Sequence, residues 1–263
     1  MPPGTADVYA PLITTIVATL NNSKTLARCL QSIIEQSYSK KEIIVIDGGS
    51  TDGSTSLLES LDTHIDYWES KLDRGVYHAW NKALEKANGE WFCFLGADDY
   101  FWDKNVLSDF VPYLWRACRS DIRIVYGRVA QVSKNGSLKN FLGKPWERIR
   151  WQMHHGMPLP HPGLMHHLSL VDEYGLFDES FKVAGDYEYL LRELLKHSAL
   201  FAENICSVGH QLGGLSQYNN LKAHLEVAKA RKKNGLPAYT WGWLLVFIRA
   251  VFRHVWRKYI HRI

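Results

Sequence analysis

The amino-acid sequence predicts an α/β fold, a mostly parallel central sheet covered by helices on both faces. Three observations predict it. Runs rich in Ile, Val and Thr alternate with helical patterns between residues 12 and 100. These runs are too apolar to be half-solvated, which marks strands buried on both faces. Each is closed by Asp, Asn or Gly, the residue types of short strand-to-helix turns.

Leu12 to Leu20 carries no charge and reads as the first buried strand. Asn21, Asn22 and Ser23 are helix-capping types, and Leu26, Leu30, Ile33 and Ile34 then recur at helical spacing. Glu42 to Ile46 is a second strand, stopped by Asp47-Gly48-Gly49, and a short helix starts near Ser54. Ile65 to Trp68 is a candidate third strand. Tyr77 to Ala87 has a helical pattern ended by Asn88-Gly89, and Trp91 to Leu95 is a fourth strand closed by Gly96-Ala97-Asp98-Asp99. Ligands of such sheets sit beyond the carboxyl ends of the strands. Asp47, Asp73, Asp98 and Asp99 all lie at or just after such ends, the first reason to expect one shared site. Farther on, Ile122 to Val129 is a strand, Lys134-Asn135-Gly136 a turn, and Asp186 to His197 a helix. Past Gly214 the chain turns helical and basic.

Composition bounds the function. The chain has 263 residues, 46% hydrophobic and 22% charged, which suits a globular protein with a sizeable core. A net charge of +4 is too small to argue for nucleic acid as partner. Cys29, Cys93, Cys118 and Cys206 form no C-x-x-C pair and read as reduced, mostly packing thiols of a cytoplasmic protein. Met1 to Ala10 shows no secretory signal, and the longest wholly apolar run after Gly242, Trp243 to Ile248, is too short to span a bilayer.

Asp98-Asp99 carries the clearest chemistry. A nucleotide diphosphate leaving group gains negative charge as its bond to sugar breaks, and a divalent cation held by carboxylates stabilises that charge. Mg2+ or Mn2+ needs only one or two such carboxylates. An Asp-Asp pair also occurs as a plain solvated turn; its place after an uncharged strand favours the ligand role.

Val17-Ala18-Thr19-Leu20-Asn21, Ile46-Asp47-Gly48-Gly49-Ser50-Thr51-Asp52-Gly53-Ser54, Asp73-Arg74-Gly75-Val76-Tyr77-His78-Ala79-Trp80-Asn81-Lys82 and Leu95-Gly96-Ala97-Asp98-Asp99 stand in the order and spacing of a family 2 glycosyltransferase, which the chain resembles from Leu12 to about Ser216. The resemblance implies a GT-A fold and an inverting, metal-dependent transfer from a nucleotide-sugar, with UDP as the commonest donor nucleotide. It implies that Thr19 to Asn21 and Asp47 hold the nucleotide, with Asp47 accepting a hydrogen bond from the base. Asp98 would contact ribose or donor sugar, Asp99 would ligate Mn2+ or Mg2+, and Asp73, Arg74 and Gly75 would line the donor site. Two positions depart from the family pattern: His78 replaces an Asp and Ala83 a Gly. Asp52 and Ser54 read as helix caps.

Inverting transfer also needs a base opposite the leaving group. Phe177-Asp178-Glu179-Ser180-Phe181 before Ala184-Gly185-Asp186-Tyr187-Glu188 is similar to the family stretch that makes Asp186 the base. Asp186 also reads as an N-cap, and both roles are compatible; Glu188 reads as a helix-surface charge. By the same resemblance His161 is a candidate acceptor contact, and His210, before Gly213-Gly214-Leu215-Ser216, a candidate further metal ligand. His154, His155, His166 and His167 lack zinc-site spacing and read as surface or packing residues.

The domain organisation follows: a GT-A domain over residues 1–216, with a nucleotide half over about 11–100 and an acceptor half over about 101–216, then a helical basic segment over 217–263. In that segment Leu244, Ile248, Phe252, Val255, Tyr259 and Ile263 recur at helical spacing, with Arg249, Arg253, Arg257 and Lys258 mostly opposite and Trp241, Trp243 and Trp256 as interfacial side chains. A helix lying on an anionic membrane fits this pattern, as does one packed on its own domain. The expected enzyme is peripheral on the cytoplasmic face of the inner membrane and takes a saccharide or lipid-linked acceptor in bacterial surface polysaccharide assembly. A sugar nucleotidyltransferase would need a basic Gly-rich loop after the first strand, and a nicotinamide-dependent dehydrogenase would need G-x-G-x-x-G there; Ala18-Thr19-Leu20-Asn21-Asn22 is neither. A non-catalytic scaffold keeping the fold would bind no nucleotide in a metal-dependent way.

Overall fold

The computed structural model describes residues 9–213 and 220–241, together with 243, 244, 247, 248 and 251. Its first half alternates as the sequence pattern requires. The elements run β1 (Ile13–Thr19), α1 (Ser23–Ile34), β2 (Lys41–Asp47), α2 (Ser54–Ser60), β3 (Tyr67–Ser70), α3 (Val76–Leu84) and β4 (Trp91–Gly96). The second half adds β5 (Tyr100–Phe101), α4 (Val106–Arg119), β6 (Ile124–Val132), β7 (Leu138–Leu142), α5 (Trp146–Ile149), β8 (Met165–His167), α6 (Ser169–Tyr174), α7 (Gly185–Leu194), β9 (Leu200–Gln211) and α8 (Asn220–Lys233).

Among the described residues these strands form one sheet in the order β3-β2-β1-β4-β8-β6-β9-β5, with β7 paired to β6. The block β3-β2-β1-β4 is parallel throughout. The rest is mixed: β8 is antiparallel to β4 and β6, β9 parallel to β6, and β5 antiparallel to β9. Strand residues alternate between two cores. Ile13, Val17, Ile43, Val45, Cys93 and Leu95 pack under α1, α2 and α4, and Ile16, Ile44, Ile46, Phe92 and Phe94 pack under α3 and α7. The sheet is therefore covered on both faces, which is why its central parallel strands β1 and β4 carry no charge. The carboxyl ends of β1, β2, β3 and β4 open on one edge, where all four expected acidic positions collect.

The segment after residue 216 is described in part. The helix α8 packs against α7: Lys233 pairs with Asp178 at 2.8 Å and Glu188 at 3.1 Å, and Lys229 donates to the Ser180 hydroxyl at 2.8 Å. The sequence reading of Trp243 as an interfacial side chain is corrected: it is buried, donates to the His224 carbonyl and stacks with Phe247. Trp241 is exposed and Leu244 and Ile248 partly so. Gly214, Leu215, Ser216, Arg249, Phe252, Arg253, Val255, Trp256, Arg257, Lys258, Tyr259 and Ile263 lie outside the described residues. No described helix is long and apolar enough to cross a membrane.

Candidate active site

The turns after β1 and β2 are built as one unit. Gly48 N–H donates to the Thr19 carbonyl, Asn21 N–H to the Ser50 hydroxyl at 2.7 Å, and Thr51 N–H to Asn21 Oδ1 at 2.9 Å. Asn21 reaches this position at φ 53°, a left-handed conformation Asn tolerates. Asp52 caps two helices at once, accepting from Ser23 N–H of α1 and from the backbone and hydroxyl of Ser54 of α2. Those bonds, the Ser54 hydroxyl first, hold its carboxyl well below the usual range.

Asp47 is fully buried at the end of β2. Its carboxylate accepts from Gly49 N–H, Ser50 N–H and the Ser50 and Ser70 hydroxyls. Three of these donors reach Oδ2 and one reaches Oδ1, so Asp47 holds the loop while Oδ1 keeps a lone pair for a further donor. Asp73 sits against this loop, its Oδ2 close to Gly48, and accepts from Gly75 N–H at 2.8 Å. The departure at His78 resolves simply: its Nδ1 accepts the Arg74 N–H at 3.1 Å, as a carboxylate would. Arg74 points its guanidinium at Glu179, with two N–H groups at 2.9 and 2.6 Å from one oxygen.

The acidic pair follows β4. Asp99 is nearly fully buried and Asp98 half-buried. Asp99 contacts His210 Nδ1 through both oxygens, at 3.0 and 3.1 Å, and accepts from Gln211 N–H at 2.9 Å. Desolvation, then the adjacent Asp99 charge, raise the Asp98 pKa. Burial alone would lower that of His210, but the Asp99 hydrogen bond and the charges of Asp99 and Asp98 outweigh it and raise it. The buried Asp99 carboxylate and the imidazole it touches form a pair of ligands that a divalent cation would relieve, with Asp98 adding negative charge beside them.

Asp186 lies in the first turn of α7. Its Oδ1 accepts from Tyr187 N–H at 2.8 Å and contacts the Tyr77 hydroxyl at 3.4 Å. The N-cap reading of Asp186 is corrected: Ala184 holds that position, and the loop N–H groups before the helix are capped from outside. Glu226 of α8 accepts from Lys182, Val183 and Ala184 N–H at 2.8 to 3.0 Å. Tyr77 accepts Gly185 N–H at 2.8 Å, and Lys182 Nζ donates to the Arg74 carbonyl at 2.7 Å. The Asp186 loop and the Asp73–Gly75 segment are thus tied together. Glu188 is corrected too: it is buried and paired with Arg192 at 2.6 Å, not a surface charge.

His161 is buried in an aromatic box, 5.3 Å from Trp80 and 5.7 Å from Phe94 between ring centres. Burial lowers its pKa against the opposing charge of Asp186. Its Nε2, both His166 nitrogens and the Tyr189 hydroxyl are buried without a hydrogen-bond partner. Sequence reasoning missed Arg28, Tyr77, Lys182 and Glu226. Arg28 donates to the Asp98 carbonyl and Gln211 Oε1 and lies over the Tyr100 ring. Nothing local marks Arg28, Lys182 or Glu226, because their partners are distant in sequence. Tyr77 stood inside the Asp73–Lys82 motif and could have been noticed.

An α/β sheet whose parallel strands deliver carboxylates to one edge, completed by a late imidazole, defines a GT-A glycosyltransferase. Comparison makes this specific: a profile described as Glycosyl transferase family 2 matches residues 14–157, more than half of the chain, and the protein belongs to that family. A Mycobacterium bovis relative named "PGL/p-HBAD biosynthesis glycosyltransferase" is 28% identical over 218 residues, 79% of this chain and 80% of the relative. An uncharacterized glycosyltransferase of Rickettsia typhi is 26% identical over 76% of this chain and 64% of its own. Residues 1–349 of S. aureus TarS in complex with UDP superpose with a TM-score of 0.63 at 18% identity, over 92% of this chain and 71% of that one. A longer TarS chain is covered to 39%. The mannosyltransferase PcManGT of Pyrobaculum calidifontis, in complex with GDP-Man and Mn2+, superposes with a TM-score of 0.64 at 18% identity, over 92% of this chain and 69% of that one.

Proposed function

We propose that the protein transfers one hexosyl unit from a nucleotide diphosphate donor, a UDP-sugar, to a hydroxyl of a saccharide or lipid-linked acceptor, with inversion at the anomeric carbon. The observation that carries this reading is the convergence of Asp98, Asp99 and His210 on the carboxyl edge of the sheet. Asp99 and His210 would hold Mn2+ or Mg2+, with Asp98 facing ribose or donor sugar. When bound, the cation offsets the charge that develops on the diphosphate. Thr19, Asn21, Asp47, Asp73, Arg74 and Gly75 line the donor side, with Asp47 fixing the turn and offering its Oδ1 to the base. Asp186 takes the acceptor proton, its place set by Tyr77 and by the Glu226-capped loop. His161 orients the acceptor from the aromatic box. TarS bound to UDP and UDP-GlcNAc supports a uridine nucleotide, and PcManGT with GDP-Man and Mn2+ supports the cation while keeping GDP as the competing donor.

The same reading places residues 1–216 as the catalytic domain and 217–263 as a basic segment that meets the cytoplasmic face of an anionic inner membrane, in surface polysaccharide assembly. Sedimentation with anionic vesicles, of the whole chain and of a chain stopped at Gly242, tests the membrane contact; equal pelleting removes it. The donor is tested by calorimetry with UDP, GDP and dTDP, each with and without Mn2+, on wild type and Asp99→Ala. UDP binding that needs both Mn2+ and Asp99 is the expected result. Binding that ignores both would defeat the proposed centre.

A further inference from the structure

The far end of the sheet carries a second group of metal-ligating side chains. Glu90 immediately precedes β4, whose other end leads to Asp98 and Asp99, so the two groups stand roughly 20 Å apart, six residues at about 3.3 Å each. Beside Glu90, the antiparallel register sets His167 of β8 opposite Trp91. Cys118 comes from the last turn of α4. His167 Nε2 and Cys118 Sγ each lie 3.8 Å from Glu90 Oε1, and all three ligand atoms lie within 4.8 Å of one another.

We propose that Glu90, Cys118 and His167 bind a borderline divalent cation, Zn2+, at a site separate from the donor centre. One thiolate, one imidazole and one carboxylate suit Zn2+, whereas Mg2+ and Ca2+ prefer oxygen alone. Tetrahedral zinc ligands at bond lengths of about 2.0–2.3 Å stand roughly 3.3–3.6 Å apart, so each side chain closes by about 1 Å or less. Zinc binding through Nε2 needs the His167 proton on Nδ1: the Ser169 hydroxyl, 2.8 Å away, would accept it, in place of the 3.3 Å bond that the Ser169 N–H makes to Nδ1. Tyr9 closes another side: its hydroxyl donates to Glu90, lies 3.1 Å from Cys118 Sγ and accepts from the Trp91 indole at 2.9 Å. As the zinc–sulfur bond forms, the Cys118 thiol proton leaves to solvent. The ion would pin the end of α4 and β8 to the start of β4, so its contribution is to stability rather than transfer.

Co2+ is the probe, added to the full chain without nucleotide. Wild type is expected to show one thiolate-to-cobalt charge-transfer absorption per chain, abolished by one equivalent of Zn2+. Cys118→Ser, an exposed position that tolerates the exchange, loses the band. His167→Gln weakens Co2+ binding at least about tenfold. Asp99→Ala keeps the band, which separates the site from the donor centre. Zn2+ raises the Tm of wild type and leaves that of Cys118→Ser unchanged. Absence of the band in wild type, its survival in Cys118→Ser, or its loss in Asp99→Ala would each overturn the proposal.

Discussion

Glu226 offers the sharpest test of how the acceptor half is held. Its carboxylate, on α8, is the acceptor for three consecutive N–H groups, those of Lys182, Val183 and Ala184, immediately before the helix that carries Asp186. Glu226→Ala leaves all three without it. The Ala184 N–H is buried and its loss of partner costs about 1–3 kcal/mol; the other two lie nearer solvent and add about 0.5–1 kcal/mol each. The expected destabilisation is therefore about 2–5 kcal/mol, read by urea unfolding at constant m. Glu226→Gln, with its amide oxygen in the Oε2 place that all three donors reach, should lose much less than Glu226→Ala. The loop also aims Asp186, so Glu226→Ala should lower kcat at least about tenfold, some 1.4 kcal/mol in the transition state, with donor KM little changed. An alanine variant within about 0.5 kcal/mol of wild type and with unchanged kcat would refute the account, because three orphaned donors cannot be that cheap.

Three further outcomes follow from close contacts and burial. In Gly96→Ala the new Cβ would stand 2.9 Å from Asp99 Oδ2 and 3.0 Å from Asp98 Oδ1, so Mn2+-dependent UDP binding should weaken at least about tenfold by calorimetry, against a stability change below about 1 kcal/mol. In Gly185→Ala the Cβ would come within 2.7–3.0 Å of the Tyr77 ring, which Trp80 and Phe177 pin from two sides; a loss of about 1–3 kcal/mol in unfolding and a lower kcat are expected. Burial first, then His161, push the His166 pKa well below its ordinary 6.5, so the unfolded chain binds a proton that the folded one refuses. Stability should fall as pH drops below 6.5, by up to about 1.4 kcal/mol per unit from His166 alone, and His166→Phe should flatten that slope in unfolding measured at pH 7 and pH 5.5. Equal slopes in the two proteins would contradict it.

The nucleotide half was legible because each strand is buried on both faces and closed by its own punctuation. Thr19, Asp47 and Gly96 end β1, β2 and β4 within a residue or two of the expected stops. In the acceptor half only β6 and α7 were read, as a strand over Ile122 to Val129 and a helix over Asp186 to His197. The strand β7 is exposed along most of its length and shows no apolar run, β5 and β8 are two and three residues long, and α4 carries Pro112 inside a helical pattern. The twelve residues of β9 mix Glu203, Asn204 and His210 with small apolar residues, because that strand sits partly near the edge of the sheet. For the site, Asp99 and His210 could be named one by one, but only the resemblance suggested that they meet. Asp47 was found from its place at a strand end, which invites a ligand; only the fold shows that its carboxylate also ties the turn together through Gly49, Ser50 and Ser70.

The Asp99–His210 contact spans 111 residues of sequence. At a synthesis rate of about 5–20 residues per second, the two side chains leave the ribosome roughly 6–22 s apart. During that interval the parallel block from β1 to β4 already has its partners and can form, while Asp98 and Asp99 face each other without the imidazole and without β5's later neighbour. The nascent chain would therefore pass through a stage that is nearly complete on the donor side while the proposed donor centre still lacks its imidazole, which arrives only with β9.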